Sequence, residues 1–284
     1  MNEKVAWVTD STGFLDEELK YNEDLYVIPI QIHIEGKDYN DGIDITNADL
    51  YQVMEERKAI VTTSQPSVGQ FTHMYDSLHK QKYERVYSFL ISEKLSGTVS
   101  SSIQASHLVQ IPVTTFDSWL LSYPMTYIMK KAISWQRQGD QPEEIIRKAK
   151  RLRNSNETYV LIGSLEQLHR SGRLNSLQYF LGNILKIKPI ISLLKGKLEI
   201  QDIARNDRHT DKIIFKKLQH AVEQYQISEC LILYGQSIKQ SEKWVEKIKH
   251  SFPQLKVHIY PLGTAIGVHA GGNTIGISWF KEKI

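Results

Sequence analysis

The chain has 284 residues, 41% of them hydrophobic and 24% charged, with a formal net charge of +3. This composition is that of a globular protein with one large or two average domains. So small a net charge gives no argument for nucleic-acid binding, and no run approaches the roughly 20 apolar residues of a membrane span. The single cysteine, Cys230, excludes an intrachain disulfide. A strand begins at Val5, so we expect no signal peptide and a cytoplasmic location.

The first half of the chain alternates between strand and helix patterns. The strands are expected at residues 5–9, 25–34, 86–91 and 113–117. The helices are expected at residues 47–57, from 68 onward, 100–109, 118–138 and 143–153. Pro29 predicts that the second strand is interrupted or lies at a sheet edge, and Pro124 predicts a kink or a late start of its helix. Ser67 and Gln70 form a capping box before the second helix.

The pattern changes after residue 158, so we expect an N-terminal domain of residues 1–158 and a C-terminal domain of residues 159–284. The strands of the second domain are expected at 159–163, 188–194, 198–200, 230–234 and 257–260. Its helices are expected at 165–173, 177–185, 210–225 and 240–252. Residues 263–280 mix glycine with strand-forming residues. The alternation indicates two α/β domains.

Turns rich in hydroxyl groups recur beside the predicted strands of the first half. They are Asp10-Ser11-Thr12, Thr62-Thr63-Ser64, Leu95-Ser96-Gly97-Thr98 and Asp117-Ser118. A doubly wound parallel sheet would gather them along one rim, where ligands bind. Ser96 precedes a predicted helix, and the N–H groups at a helix start suit an anion. The commoner role of such a serine is to cap its helix.

His269 is a second candidate, because glycines on both sides would let a ligand approach closely. A structural histidine is the more frequent interpretation of a lone residue of this kind. Arg173 follows a tight turn and Arg205 follows a strand, and most such arginines are surface charges. The sequence has no P-loop, no nucleophile elbow and no Gly-x-Gly-x-x-Gly after the first strand, and its histidines lack metal-ligand spacing.

In order and spacing, these motifs resemble those of the DegV family over essentially the full length. They are Thr9-Asp10-Ser11-Thr12, Pro29-Ile30, Gly36-Lys37-Asp38-Tyr39, Thr62-Thr63-Ser64-Gln65-Pro66-Ser67, Ile91-Ser92, Leu95-Ser96-Gly97-Thr98, Phe116-Asp117-Ser118, Ser171-Gly172-Arg173-Leu174, Lys186-Ile187-Lys188-Pro189-Ile190 and Gly267-Val268-His269-Ala270-Gly271. One departure follows His269, where the family often has Gly-Pro-Gly and this chain has Ala270-Gly271-Gly272-Asn273-Thr274.

The resemblance implies a three-layer αβα domain with a mostly parallel sheet, then a domain with a mixed sheet and helices, with one long-chain fatty acid between them. It implies that Thr62, Ser96 and His269 contact the carboxylate of the fatty acid. The secondary ligand-binding residues would be Ser64, Gly97 and Thr98. Aliphatic residues at 177–185 and 190–194 could line the acyl tail, although most such residues are plain core.

The resemblance also implies a partner protein. Arg173 and Arg205 match exposed arginines of the family that act with a separate, ATP-dependent fatty acid kinase subunit. That subunit makes acyl phosphate from the bound lipid for phospholipid synthesis. The chain itself is then expected to be a carrier with no catalytic residue, no metal and no cofactor besides the fatty acid. Contact with a membrane surface would be transient.

Three alternatives stay open at this point. The chain could carry or sense another acidic lipid or a small anion. It could be a hydrolase, with Ser96 and His269 completed by Asp10 or Asp117 as a triad. It could also regulate a partner protein and hold lipid only as a structural ligand.

Overall fold

A computed structural model of the chain describes residues 3–56, 59–173 and 188–282. The chain forms two compact units. Unit 1 comprises Met1–Ala149 and Gly263–Ala265, and unit 2 comprises Lys150–Leu262 and Ile266–Ile284. The expected boundary at residue 158 falls inside strand β8 (Asn156–Leu161) and stays a prediction. The α/β fold class is confirmed, with a parallel sheet in one unit and a mixed sheet with helices in the other.

Unit 1 contains two sheets among its described residues. Its strands are β1 (Val5–Asp10), β2 (Leu25–Ile28), β3 (Gln31–Ile34), β4 (Lys37–Asn40), β5 (Val61–Ser64), β6 (Arg85–Leu90) and β7 (Val113–Asp117). Its helices are α1 (Glu17–Lys20), α2 (Asn47–Glu56), α3 (Val68–Lys80), α4 (Thr98–Ser106) and α5 (Ser122–Arg137), and α6 (Pro142–Ser155) runs on into unit 2. The parallel sheet has the order β2-β1-β6-β7, and the antiparallel sheet has the order β4-β3-β5.

The two faces of the parallel sheet follow from the alternation of side chains along each strand. On one face, Val8 and Val86 pack against Phe71 of α3 in a buried apolar cluster that also includes residues of α4. On the other face, the rings of Trp7 and Tyr87 stack with their centroids 4.8 Å apart. Because neighbouring strands are parallel, β1, β6 and β7 all end at the same edge of the sheet.

Local sequence signals set several helix ends, two of them as predicted. Ser67 and Gln70 form the expected capping box at the start of α3. Thr46 accepts a hydrogen bond from the Asp49 N–H at the start of α2, at 3.3 Å. The late start expected from Pro124 is confirmed, because α5 begins only at Ser122.

Unit 2 is built on a mixed sheet of order β10-β9-β8-β13-β11-β12 among its described residues. Besides β8, its strands are β9 (Lys188–Leu194), β10 (Lys197–Ala204), β11 (Glu229–Tyr234), β12 (Lys256–Pro261) and β13 (Ile275–Phe280). Its helices are α7 (Leu165–Arg170), α8 (Asp207–Tyr225) and α9 (Lys239–Ser251). Trp244, Ile277 and Trp279 belong to a buried core that α8 and α9 share with the sheet. The helix expected at 177–185 lies outside the described residues.

The glycine-rich end differs from the sequence expectation. A further helix, α10 (Thr264–Ala270), precedes β13 and carries His269. Its apolar side chains are buried, which outweighs the low helix propensity of Gly267. Gly271 ends the helix with a φ of +80°, a conformation that favours glycine.

Within residues 3–56, 59–173 and 188–282, no helix has both the length and the apolar character to cross a bilayer.

Candidate functional site

Asp10 ends β1 and is fully buried. Its Oδ1 accepts the N–H of Thr12 at 3.0 Å and also the Thr12 hydroxyl, while its Oδ2 accepts the N–H of Ile91 at 2.7 Å. Burial raises the pKa of Asp10, although each of these hydrogen bonds lowers it. Asp10 therefore ties β1 to the beginning of the loop that leads from β6 to Ser96.

Ser96 and Thr98 lie together at the start of α4. Their hydroxyl oxygens are 2.8 Å apart, and the Ser96 N–H donates to the carbonyl of Ser92 at 3.1 Å. Gly97 is the N-cap residue and has no side chain with which to cap the helix. The first N–H groups of a helix have no partner within the helix. Two hydroxyls and a helix start without a side-chain cap thus converge on a place where an anion could bind.

Thr62 and Ser64 lie on β5 of the antiparallel sheet, not on the rim of the parallel sheet where the sequence placed them. In the register of β3 and β5, Thr62 is opposite His33 and Thr63 is opposite the buried Ile32. Thr62 is exposed. Side chains alternate along a strand, so Thr62 and Ser64 share one face and Thr63 points to the other.

Gln65, directly after β5, connects this strand with α4. A Cβ atom built on Gly97 would lie 2.9 Å from Gln65 Nε2, so the amide of Gln65 packs against the Gly97 backbone. The absence of a side chain at Gly97 is what makes this approach possible. The end of β5 and the start of α4 are therefore neighbours, which brings two of the predicted turns together.

Ser64 belongs to a hydrogen-bonded series that the sequence analysis missed. Ser64 Oγ lies 2.8 Å from His33 Nε2, and His33 Nδ1 lies 2.6 Å from Asp38 Oδ1. The side chain of Asp38 is 71% exposed and that of His33 is 33% exposed. The sequence does contain a signal for this pairing of His33 with Asp38. A two-residue turn at Glu35 and Gly36 places the two residues opposite each other in the β3–β4 hairpin.

The charge of Arg173 acts on His269 in unit 2. Burial, and then the positive charge of Arg173, lower the pKa of His269 to about 4. The imidazole is therefore neutral at pH 7 and retains one ring N–H that can donate to an anion. Arg173 is partly buried, not exposed as the sequence led us to expect, and burial lowers its pKa. Arg205 is exposed and follows β10.

The loop after His269, where the sequence departs from the family pattern, is held by backbone hydrogen bonds. Ser164 N–H donates to the carbonyl of Ala270 at 2.9 Å, and Gln236 N–H donates to the carbonyl of Gly272 at 2.7 Å. A Cβ atom at Gly271 would lie 2.8 Å from Cβ of Ser164. Glycine thus allows close packing at this turn, and the loop keeps its backbone hydrogen bonds although its sequence differs from the family pattern.

The two carboxylates proposed for a hydrolase triad with Ser96 are already engaged by backbone groups. Asp10 accepts the bonds described above, and Asp117 accepts the N–H of Trp119 at 3.1 Å. Among the residues that the structure describes, no group of three or more His, Cys, Asp or Glu side chains is placed to hold a metal ion. Ile190, expected near an acyl tail, belongs to the core of unit 2, and Ile191 packs with Leu168.

Known proteins that this chain resembles belong to one family. The model of a family described as "Uncharacterised protein, DegV family" matches residues 4–282. A DegV domain-containing protein of Listeria monocytogenes is 30% identical over 280 residues, which are 98% of this chain and 99% of that protein. A fatty-acid-binding DegV family protein of Thermus thermophilus superposes with a TM-score of 0.89 at 28% identity, covering 98% of this chain and 99% of its own. DegV of Bacillus subtilis, a fatty acid binding protein, superposes with a TM-score of 0.89 at 27% identity, and the match covers 98% of this chain and 99% of that protein.

Proposed function

The chain belongs to the DegV family, and from that premise we propose that it binds one long-chain fatty acid by its carboxylate. The observation that carries the proposal is the convergence of Ser96, Thr98 and the start of α4, in a chain similar to two fatty-acid-binding structures. A carboxylate that leaves water needs hydrogen-bond donors, because its desolvation is otherwise prohibitive. Hydroxyls and helix N–H groups are such donors.

We assign the carboxylate contacts to Thr62, Ser96 and His269, and the secondary contacts to Ser64, Gly97 and Thr98. A neutral His269 suits this role, since its N–H donates to the carboxylate without requiring a buried imidazolium. The nearby charge of Arg173 favours an anionic ligand over a neutral one.

The acyl tail supplies the larger share of affinity. At about 0.8 kcal/mol for each buried CH₂ group, a long acyl chain offers roughly 10 kcal/mol before the costs of ordering are subtracted. The tail therefore contributes most of the binding free energy, and the head group discriminates acids from neutral lipids.

The test is extraction of lipid from the purified protein, followed by mass spectrometry of the extract and of the intact complex. We expect one long-chain fatty acid for each chain. Recovery of no fatty acid, together with no binding of added lipid, would end the proposal. Recovery of another acidic lipid, or competition by a small anion, would move the assignment to that ligand class.

The finer part of the proposal is a partner kinase that phosphorylates the bound carboxylate. The exposed Arg205 supports it, because an exposed guanidinium suits recognition of a partner protein or of phosphate. Incubation with a fatty acid kinase subunit and ATP, with hydroxylamine to trap acyl phosphate, tests this step. The absence of trapped product from a fatty-acid-loaded protein would leave a carrier or regulator without this reaction. We place the carrier in the cytoplasm.

One observation favours a second candidate function, hydrolysis of an acyl ester. The order Ser64, His33, Asp38 has the hydrogen bonds of a catalytic triad. We rank it lower, because water screens the exposed carboxylate of Asp38. Turnover of a p-nitrophenyl acyl ester that is lost in Ser64→Ala, together with labelling of Ser64 by a fluorophosphonate, would establish it. Turnover that Ser64→Ala leaves unchanged would remove it.

A further inference from the structure

Asp41, directly after β4, is buried with only 4% of its surface exposed. Its Oδ2 accepts the Ser11 hydroxyl at 2.7 Å, and its carboxylate also accepts the Thr264 hydroxyl and the N–H of Ala265. Thr264 and Ala265 are the first two residues of α10. One carboxylate from the first fifty residues therefore holds the first turn of a helix near the end of the chain.

Ser11 fixes the direction of the Asp41 carboxylate. Its hydroxyl donates to Asp41 and accepts the N–H of Ile30 at 2.9 Å, so its proton is committed to the carboxylate. The Ser11 N–H donates to the carbonyl of Ile28 at 3.1 Å. Ser11 follows Asp10, which holds Ile91 at the start of the loop to Ser96. Two consecutive residues of the Asp10-Ser11-Thr12 motif thus support the loop to Ser96 and, through Asp41, the helix α10.

Stability alone does not account for this arrangement. Burial, with a smaller contribution from the negative charge of Asp10, raises the pKa of Asp41 to about 6, although its hydrogen bonds lower it. Asp10 is a charged group that acts on Asp41. Because the folded chain binds this proton more tightly than the unfolded chain, the free energy of unfolding falls as pH rises from about 4 to about 6. At neutral pH the ionised Asp41 therefore opposes folding, and a costly buried charge is more typical of functional positions.

We propose that Asp41 is a positioning residue, whose carboxylate fixes the first turn of α10 and thereby holds His269, at the other end of that helix, in the geometry that binds the ligand carboxylate. The inference rests on the proposed function, because that function assigns His269 to the ligand carboxylate. It assigns Ser11 and Asp41 a role that fatty-acid binding by Thr62, Ser96 and His269 does not by itself explain.

The first experiment compares Asp41→Asn with the wild-type chain and with Asp49→Asn, which changes a surface carboxylate in the first turn of α2 that accepts the Thr46 hydroxyl. Hydrogen exchange of the free protein should become faster in the amides of α10 in Asp41→Asn and stay unchanged in Asp49→Asn. The affinity for oleate should fall on the order of tenfold in Asp41→Asn at pH 7.5. The ratio of wild-type to variant affinity should approach one at pH 5, because Asp41 of the wild type then carries its proton. That ratio cancels the titration of the ligand and of His269.

A second pair keeps the test valid if Asp41→Asn fails to fold. Thr264→Val removes one donor to Asp41 at nearly constant volume, whereas Thr264→Ser retains the hydroxyl. We expect weaker oleate binding and faster α10 exchange in the first variant and wild-type behaviour in the second. Equal affinities and equal α10 exchange in wild type, Asp41→Asn and Thr264→Val would overturn the inference. A wild-type chain that binds no oleate would remove the proposed function, and the exchange data would still decide whether Asp41 holds α10.

Discussion

Ser96 combines a structural role with the proposed contact to the ligand carboxylate. Its Oγ shares a hydrogen bond with Thr98, and both side chains stand where α4 begins without a side-chain cap. One hydrogen bond joins the two hydroxyls, so a carboxylate bound there would be a further acceptor for their protons. The two hydroxyls are thus hydrogen-bonded to each other without a ligand, and the start of α4 can still accommodate one.

We expect Ser96→Ala to weaken fatty-acid binding by about 1–3 kcal/mol, the cost of leaving a desolvated polar group without its partner. Calorimetric titration measures the change. Ser100→Ala is the matched control, because Ser100 is exposed on the same helix and its hydroxyl contacts Gln104. Equal losses in the two variants would show that the effect belongs to α4 and not to the head group.

His269 gives a prediction for stability. Its pKa is lowered to about 4 in the folded chain, against an ordinary value of 6.5. Between these two pKa values the unfolded chain binds a proton at this histidine and the folded chain does not. The free energy of unfolding therefore falls as pH drops from 6.5 toward 4. At 1.36 kcal/mol for each pKa unit, the loss between pH 7.5 and pH 5 is roughly 2 kcal/mol.

His269→Gln should lack this loss, so the difference in unfolding free energy between wild type and variant should change by that amount over the same pH interval. Urea denaturation at both pH values measures it. His250→Gln, an exposed position, controls for the removal of any histidine. Because Asp41 contributes a slope of opposite sign in all three proteins, only the differences between them are informative. A difference that does not vary with pH would mean that His269 is not held neutral by its surroundings.

At the scale of elements, sequence reasoning succeeded where a local signal was sufficient. The capping box at Ser67, the late start of α5 and the neighbouring strands β9 and β10 each depend on a few adjacent residues. It failed where tertiary packing decides. The helix α10 forms from a segment with two strand-favouring residues and a glycine, because burial of its apolar side chains overrides propensity.

The glycines of two elements allow a matched comparison. Gly69 lies exposed in α3, and a Cβ atom there would meet only Ser67 Oγ, at 3.8 Å. Gly69→Ala should therefore stabilise the chain by about 0.5–1 kcal/mol, because alanine restricts the unfolded backbone and favours the helix. Gly163→Ala should destabilise it, since a Cβ atom there would lie 2.7 Å from the backbone nitrogens of Asn273 and Thr274.

Thermal unfolding of the two variants measures both effects, and their opposite signs are the test. A Gly69→Ala variant that unfolds at a lower temperature than the wild type would contradict the open space found beside α3. A Gly163→Ala variant as stable as the wild type would contradict the tight turn after α10.

At the scale of the whole molecule, the family could be identified from the sequence because its motifs recur in a fixed order. The relations between distant residues could not. Asp41 meets Thr264, and His33 joins Asp38 to Ser64, only after the strands have paired. The same limit applies to Arg173, whose partial burial and effect on His269 depend on how unit 2 folds.

Arg205 offers a test of the partner at this scale. Because Arg205 is exposed, Arg205→Ala should leave fatty-acid affinity unchanged and lower the yield of trapped acyl phosphate in the presence of the kinase subunit. Lys239→Ala, another exposed cation of unit 2, is the control. Arg173→Ala is less selective, because removal of its charge would also raise the pKa of His269. A loss of fatty-acid affinity in Arg205→Ala would show that its assigned role is wrong.

The most direct measurement compares oleate with oleyl alcohol, a ligand of the same tail without the carboxylate, in calorimetric titrations of the delipidated wild-type chain. We predict one saturable site for each chain and an affinity for oleate at least about tenfold higher than for the alcohol. Equal affinities, or no saturable binding of oleate, would contradict recognition of a fatty acid through its head group.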